Sequence, residues 1–183
     1  MLGVLEIPLA LGLANATEWA FHKYILHGLG KNPKSFWSFH WHEHHRAARA
    51  NDHVDPAYRE GLFSRWNGQT KEALALTGAA LAVAPLLPIA PIFVGTAWYA
   101  AFNYYRKHRR AHLDPAWARE HLPWHYDHHM GPNQHKNWCV TRPWWDLLMG
   151  TRVPYVGTLK EKADRERRTR KAQAIWARSS KAA

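Results

Sequence analysis

Residues 121–146 read HLPWHYDHHMGPNQHKNWCVTRPWWD and carry His125, His128 and His129. Offsets of three and four residues share a helix face, so these imidazoles point into one small volume. Neutral imidazole is the commonest metal ligand and suits iron, zinc, copper and nickel, so such a face asks for a transition metal. A histidine-rich surface loop would account for one cluster of this kind, but others accompany it. His108 and His112 are i, i+4 neighbours at the polar end of an apolar stretch. His40 and His44 are i, i+4 and His42 and His45 are i, i+3, so at least one of these pairs shares a face. His22 and His27 stand five apart, about 140° around an ideal α-helix, a weak pair by spacing alone. His53 reads as a loop or supporting residue, His121 as a helix end before Pro123 or a supporting residue, and His135 as a loop residue beside the site or in solvent. Glu43, Asp127 and Asp146 are candidates to orient ligand N–H groups. Glu18, one turn before His22, is a candidate for the same role, for a cap or for a solvent-facing position.

The segments that must position these histidines have their own signals. The 183 residues include 14 histidines and 11 tryptophans against 14 carboxylates. Cys139 is the only cysteine, which rules out an intramolecular disulfide and any cysteine-rich zinc module. The formal charge is +11, but Lys and Arg are absent from 1–22 and 72–105 and crowd 23–71 and 106–183. That distribution fits basic segments kept on the cytoplasmic side of a bilayer. The uncharged run 73–105 exceeds the roughly 20 residues of a single span and carries Pro85, Pro88 and Pro91 in its middle. One long kinked span would place the early and late histidines on opposite sides of a membrane. A hairpin turning at the prolines returns them to one side, with arms of about 16 residues, short enough to imply shallow or locally thinned insertion. A soluble buried hairpin is the alternative. Residues 2–21 are largely apolar, interrupted by Glu6 and Pro8 near the start and Glu18 near the end, lack the basic start of a secretory signal, and read as a membrane or half-buried helix. Asp114 and Pro115 can open a further helix. The tail from 159 holds nine basic and three acidic residues. Without a nucleic-acid motif, that charge fits anionic lipid rather than nucleic acid. The expectation is an all-α, integral membrane helical bundle with a cytoplasmic, histidine-rich di-metal cap over 1–158, and a basic tail over 159–183.

The full set comprises His22, His27, His40, His44, His45, His108, His112, His125, His128 and His129, enough for two metal ions. Four such boxes bracketing an apolar hairpin resemble the fatty acid hydroxylase/sterol desaturase superfamily of integral membrane di-metal oxygenases, over about residues 18–152. Asn137, Trp145-Asp146 and Gly150-Thr151 fit the asparagine, aromatic-Asp and Gly-Thr positions that follow the last box there. The stretch HKYILHG is similar to the first box of bacterial β-carotene hydroxylases, but the chain's ending is not, so a carotenoid oxygenase is the runner-up. In fatty acid 2-hydroxylases the second box is His-x2-His-His, which would need a histidine where this chain has Trp41. The ligand role is therefore carried to His40, with His42 as substitute.

The resemblance implies two irons, O2 as co-substrate, and an external electron donor such as a ferredoxin or a cytochrome b5-like protein. The expected reaction is hydroxylation or desaturation of an unactivated C–H bond in a lipid such as a fatty acyl chain or sterol. The lipid would enter from the bilayer of a cytoplasmic membrane, with zinc able to occupy the same imidazoles in purified material. Two readings of other classes use the same residues: a membrane zinc hydrolase, and a non-enzymatic metal-binding protein.

Overall fold

Helix α1 (Leu2–Ala20) continues without a break into a π-helical segment (Phe21–Leu26). In this computed structural model residues 2–182 are described. Met1 and Ala183, and the side chains of the tail cations Arg178 and Lys181, lie outside the described residues. A second π-helical segment (His40–His44) runs directly into α2 (His45–Ala50). The apolar run forms a hairpin of α3 (Gly68–Val83) and α4 (Pro91–Leu113), and the expected proline triplet makes its turn. Pro91 starts α4 at a position where its missing N–H costs nothing, and Trp98 Nε1 donates to Ala80 O at 2.9 Å to tie the arms together. Short helices α5 (Pro115–His121), α6 (Pro123–Met130) and α7 (Trp144–Leu148) complete the first compact unit, which closes at Val153. Asp114 caps α5 through the Trp117 N–H at 3.0 Å, as its position before Pro115 predicts. The second unit begins at Pro154 and holds α8 (Leu159–Ala182), with Lys160, Arg167 and Asp164 in an exposed ion-pair group.

Parallel packing of α1 against α4 is what brings the site together. At one end Glu6 accepts the Phe93 N–H at 2.7 Å, so a carboxylate inside an apolar segment satisfies one of the free donors at the start of α4. At the other end the two helices deliver His22 and His108. Glu18 does not support His22. It accepts from Val140 N at 3.0 Å, from Thr141 N at 2.9 Å and from Thr141 Oγ1, and so pins the loop after α6 onto α1.

Among the described residues no helix is long and apolar enough to cross a membrane. Glu6 and Glu18 interrupt α1, and α3 has only 16 residues. The apolar surface is nevertheless placed outward: Val4, Leu5, Ile7 and Leu9 of α1, and Leu81, Ile89, Tyr99 and Phe102 of the hairpin, are all exposed.

Candidate metal centre

The weak pair predicted at His22 and His27 is a close one, because the chain there is not α-helical. The His27 N–H donates to His22 O at 2.9 Å, an i→i+5 bond that brings the fifth residue back over the first. The two rings lie 5.0 Å apart. The second box repeats the device: the His45 N–H bonds to His40 O, and these i, i+5 rings lie 4.7 Å apart. Neither pairing offered by α-helical periodicity is the tightest one. His40 points inward, whereas His42 is part-exposed and meets Lys31 O at 3.0 Å, so it takes no place among the clustered imidazoles.

Two buried clusters result. In the first, His22, His27, His40, His45 and His128 bring their donor nitrogens within 4.8 Å of one another. The Nε2 atoms of His22 and His40 are 2.9 Å apart, those of His27 and His45 3.0 Å, and those of His128 and His45 3.1 Å. Ligand nitrogens at right angles around a transition metal also sit about 3 Å apart, given metal–nitrogen bonds of about 2.1 Å. The second cluster is His44, His108, His112 and His129, and His125 joins it with its Nε2 3.0 Å from that of His112. The single face read at 125, 128 and 129 is thus divided: His128 serves one cluster, His129 the other. A third group, His53 with His112 and His125, also lies within 4.8 Å. His53 is fully buried in a left-handed backbone (φ 81°), its Nδ1–H donates to Ala111 O at 3.0 Å, and its carbonyl accepts from His112 Nδ1 at 2.8 Å.

The partners of Nδ1 fix the tautomers. His22 Nδ1 lies 2.6 Å from Trp138 O, and His128 Nδ1 2.7 Å from Lys136 O. His44 Nδ1 is 2.7 Å from Asp55, and His108 Nδ1 2.5 Å from Glu72. Each partner only accepts, so each proton sits on Nδ1 and each Nε2 turns a lone pair inward. Those of His44 and His108 are buried without a hydrogen-bond partner. Lone pairs converging in a dry interior repel one another unless a cation lies between them, so the donor set fits bound metal. Burial, reinforced by neighbouring imidazoles, pushes His40, His45, His112, His125 and His129 well below the ordinary histidine range, and these rings are neutral. His22 and His53 fall to about 3, again chiefly through burial.

The orienting carboxylates are mostly not the predicted ones. Glu43 is exposed and faces Lys71 at 3.9 Å, because its position in the π turn points away from the imidazoles. Asp127 pairs with Arg152 at 2.7 Å. Asp146 acts one step removed. It accepts from Trp138 N and Cys139 N at 2.8 Å and from Thr151 Oγ1 at 2.7 Å, and so presents the Trp138 carbonyl to His22. Asp55 and Glu72 touch the clustered imidazoles of His44 and His108 directly, yet no spacing marks them. Asp55 carries the signal of a cap before Pro56, its side chain accepting the Ala57 N–H at 3.0 Å, and Glu72 is only the last charge before an apolar run. His121 stacks on Trp117 at a helix end, and His135 on Trp41 at the surface.

One cavity of about 370 Å³ abuts both clusters. It lies where three helical faces meet: Ala10, Ala14 and Thr17 of α1, Ala75, Ala79 and Val83 of α3, and Ala97, Ala101 and Tyr104 of α4. His22, His40, His44 and His108 form its histidine-lined end, beside Tyr58 and Glu72.

The family model described as fatty acid hydroxylase matches residues 7–151, from α1 through the loop that follows α7. The chain belongs to the fatty acid hydroxylase family. No curated protein and no solved structure matches it. Membership, with the buried histidines, makes this a hydroxylase-type enzyme acting on lipid, with clusters able to hold metal ions. The residues that resemble the hydroxylase ending form a clasp. Asn137 (φ 60°) donates to Val153 O at 2.9 Å and accepts from Val153 N at 2.7 Å, and Trp19 Nε1 reaches Thr151 Oγ1 at 2.9 Å. Asp146→Ala removes the acceptor of three buried donors. Denaturant titration should show a loss of about 3 kcal/mol or more, and a change below about 1 kcal/mol would show that the clasp does not depend on it.

Proposed function

We propose that this chain is an O2-dependent di-iron oxygenase that hydroxylates, or desaturates, an unactivated C–H bond of an aliphatic lipid with electrons from an external donor. The observation that carries the reading is the convergence of buried imidazole nitrogens, those of His22, His40, His44 and His108, on the wall of an apolar cavity. Hydroxylation places one oxygen atom of O2 in the C–H bond and reduces the other to water with two electrons and two protons. Iron held by the two clusters would supply O2 activation. The chain's own residues do the rest. The small side chains of α3 and α4 leave room for a hydrocarbon tail, and the α1 face completes the wall that excludes water. Tyr58 Oη donates to the Glu72 carboxylate and lies 3.0 Å from His108 Nδ1. Burial and the adjacent Glu72 hold the phenol protonated, so an exchangeable proton is kept at the metal end of the cavity.

The outward apolar residues of α1 and the hairpin support docking in a bilayer, with the tip dipping into it rather than crossing. The basic residues that follow the hairpin suit an acidic electron donor at the cytoplasmic face, such as a ferredoxin or cytochrome b5-like protein. Iron-loaded protein supplied with donor, a lipid mixture and labelled O2 should yield lipid carrying the label or a new double bond. Product formed without O2 would point instead to a zinc hydrolase, and no product from fully metallated protein would end the oxygenase reading. Ala101→Phe, which fills the cavity away from the imidazoles, should lower turnover about tenfold or more with metal content unchanged. Equal loss of metal would mean that the change had disturbed the clusters instead.

A further inference from the structure

The two clusters differ in what stands behind their ligands. In the second, His44 leans on the Asp55 carboxylate at 2.7 Å and His108 on the Glu72 carboxylate at 2.5 Å. In the first, His22 and His128 lean on backbone carbonyls, and His45 Nδ1 lies 2.7 Å from the Gln134 side-chain amide. An imidazole that donates to a carboxylate is more basic and carries more negative charge to its metal than one donating to a neutral carbonyl. Asp55 and Glu72 are both buried, so their charges are poorly screened.

We infer that the second cluster, backed by Asp55 and Glu72, is the tighter and first-filled metal site, and that the first cluster is the weaker, exchangeable one. Preorganisation does not reverse this order, because both clusters are fixed on helices and both contain Nε2 pairs already about 3 Å apart. Charge is the remaining difference. Removal of a single outer partner weakens metal binding by about 10–100-fold in comparable sites, and here two such partners act on one side. Asp55 and Glu72 are positioning residues in this scheme, because they act on the metal through His44 and His108.

The inference rests on the two-metal reading but is tested separately from it. Metal-stripped full-length protein would be titrated with Co(II) against a competing chelator, binding being followed by visible absorption and by metal content. Two ions per chain should bind in steps separated by about tenfold or more. His108→Ala should abolish the tighter step and His128→Ala the weaker one. Asp55→Asn and Glu72→Gln should each weaken the tighter step by about tenfold or more and leave the weaker in place. Two steps of equal affinity, or a carboxylate variant that moves only the weaker step, would overturn the assignment. A single ion per chain would end the two-metal reading, and the order would still be decided by which variant releases that ion: His108→Ala in support, His128→Ala against.

Discussion

His45→Ala should leave the protein with about half its metal and lower lipid oxidation by about 100-fold or more. The reason is position. His45 Nε2 lies 3.0 Å from that of His27 and 3.1 Å from those of both His40 and His128, so it touches every other member of the first cluster except His22. Changes behind a ligand already cost metal sites about 10–100-fold, and removal of the nitrogen itself costs more. Metal analysis and turnover of the same preparation check the expectation. Unchanged stoichiometry would remove His45 from the ligand set. A protein that lost both ions would show that the clusters fill cooperatively.

Acidification of metal-stripped protein should produce the other large effect. Burial keeps His40, His45, His112, His125, His128 and His129 neutral in the folded chain and holds His22 and His53 near 3, whereas the unfolded chain takes up protons near 6.5. Between those values the unfolded state binds more protons, so stability is fully present above about pH 6.5 and is lost as the pH falls towards 3. Each such histidine contributes about 1.4 kcal/mol per pH unit within that window. Denaturant midpoints measured at pH 7.5, 6.5 and 5.5 should therefore be similar for the first two and markedly lower at the third. A flat profile would mean that the imidazoles are solvated. Bound metal should delay the loss, because protons and the cation compete for the same lone pairs.

The ligand-type residues were legible in the sequence because imidazoles are few elsewhere and crowd into spaced boxes. The hairpin was legible for a different reason: prolines at 85, 88 and 91 cannot continue a helix, and the histidines on either side had to meet. Pairing within the boxes was not. Periodicity assumes α-helical turns, and Phe21–Leu26 and His40–His44 are wound one residue wider. Asp55 and Glu72 were invisible for a third reason. They reach His44 and His108 from segments 11 and 36 residues away, and no local spacing encodes such contacts. His53, read as a loop or supporting residue, is indeed in a loop, but a left-handed turn buries its ring against His112.

The wide turn at His40–His44 makes chain length a tolerance of the second box. Excising Trp41 would leave His40, His44 and His45 in the order His-x2-His-His and give the backbone one residue less to accommodate, the condition under which a π turn relaxes to an α turn. The same three imidazoles would then face inward from a narrower coil. Loss of a single residue, ordinarily among the most damaging events inside a helix, should here be absorbed like slack in a thread, with the flanking helices keeping their phase.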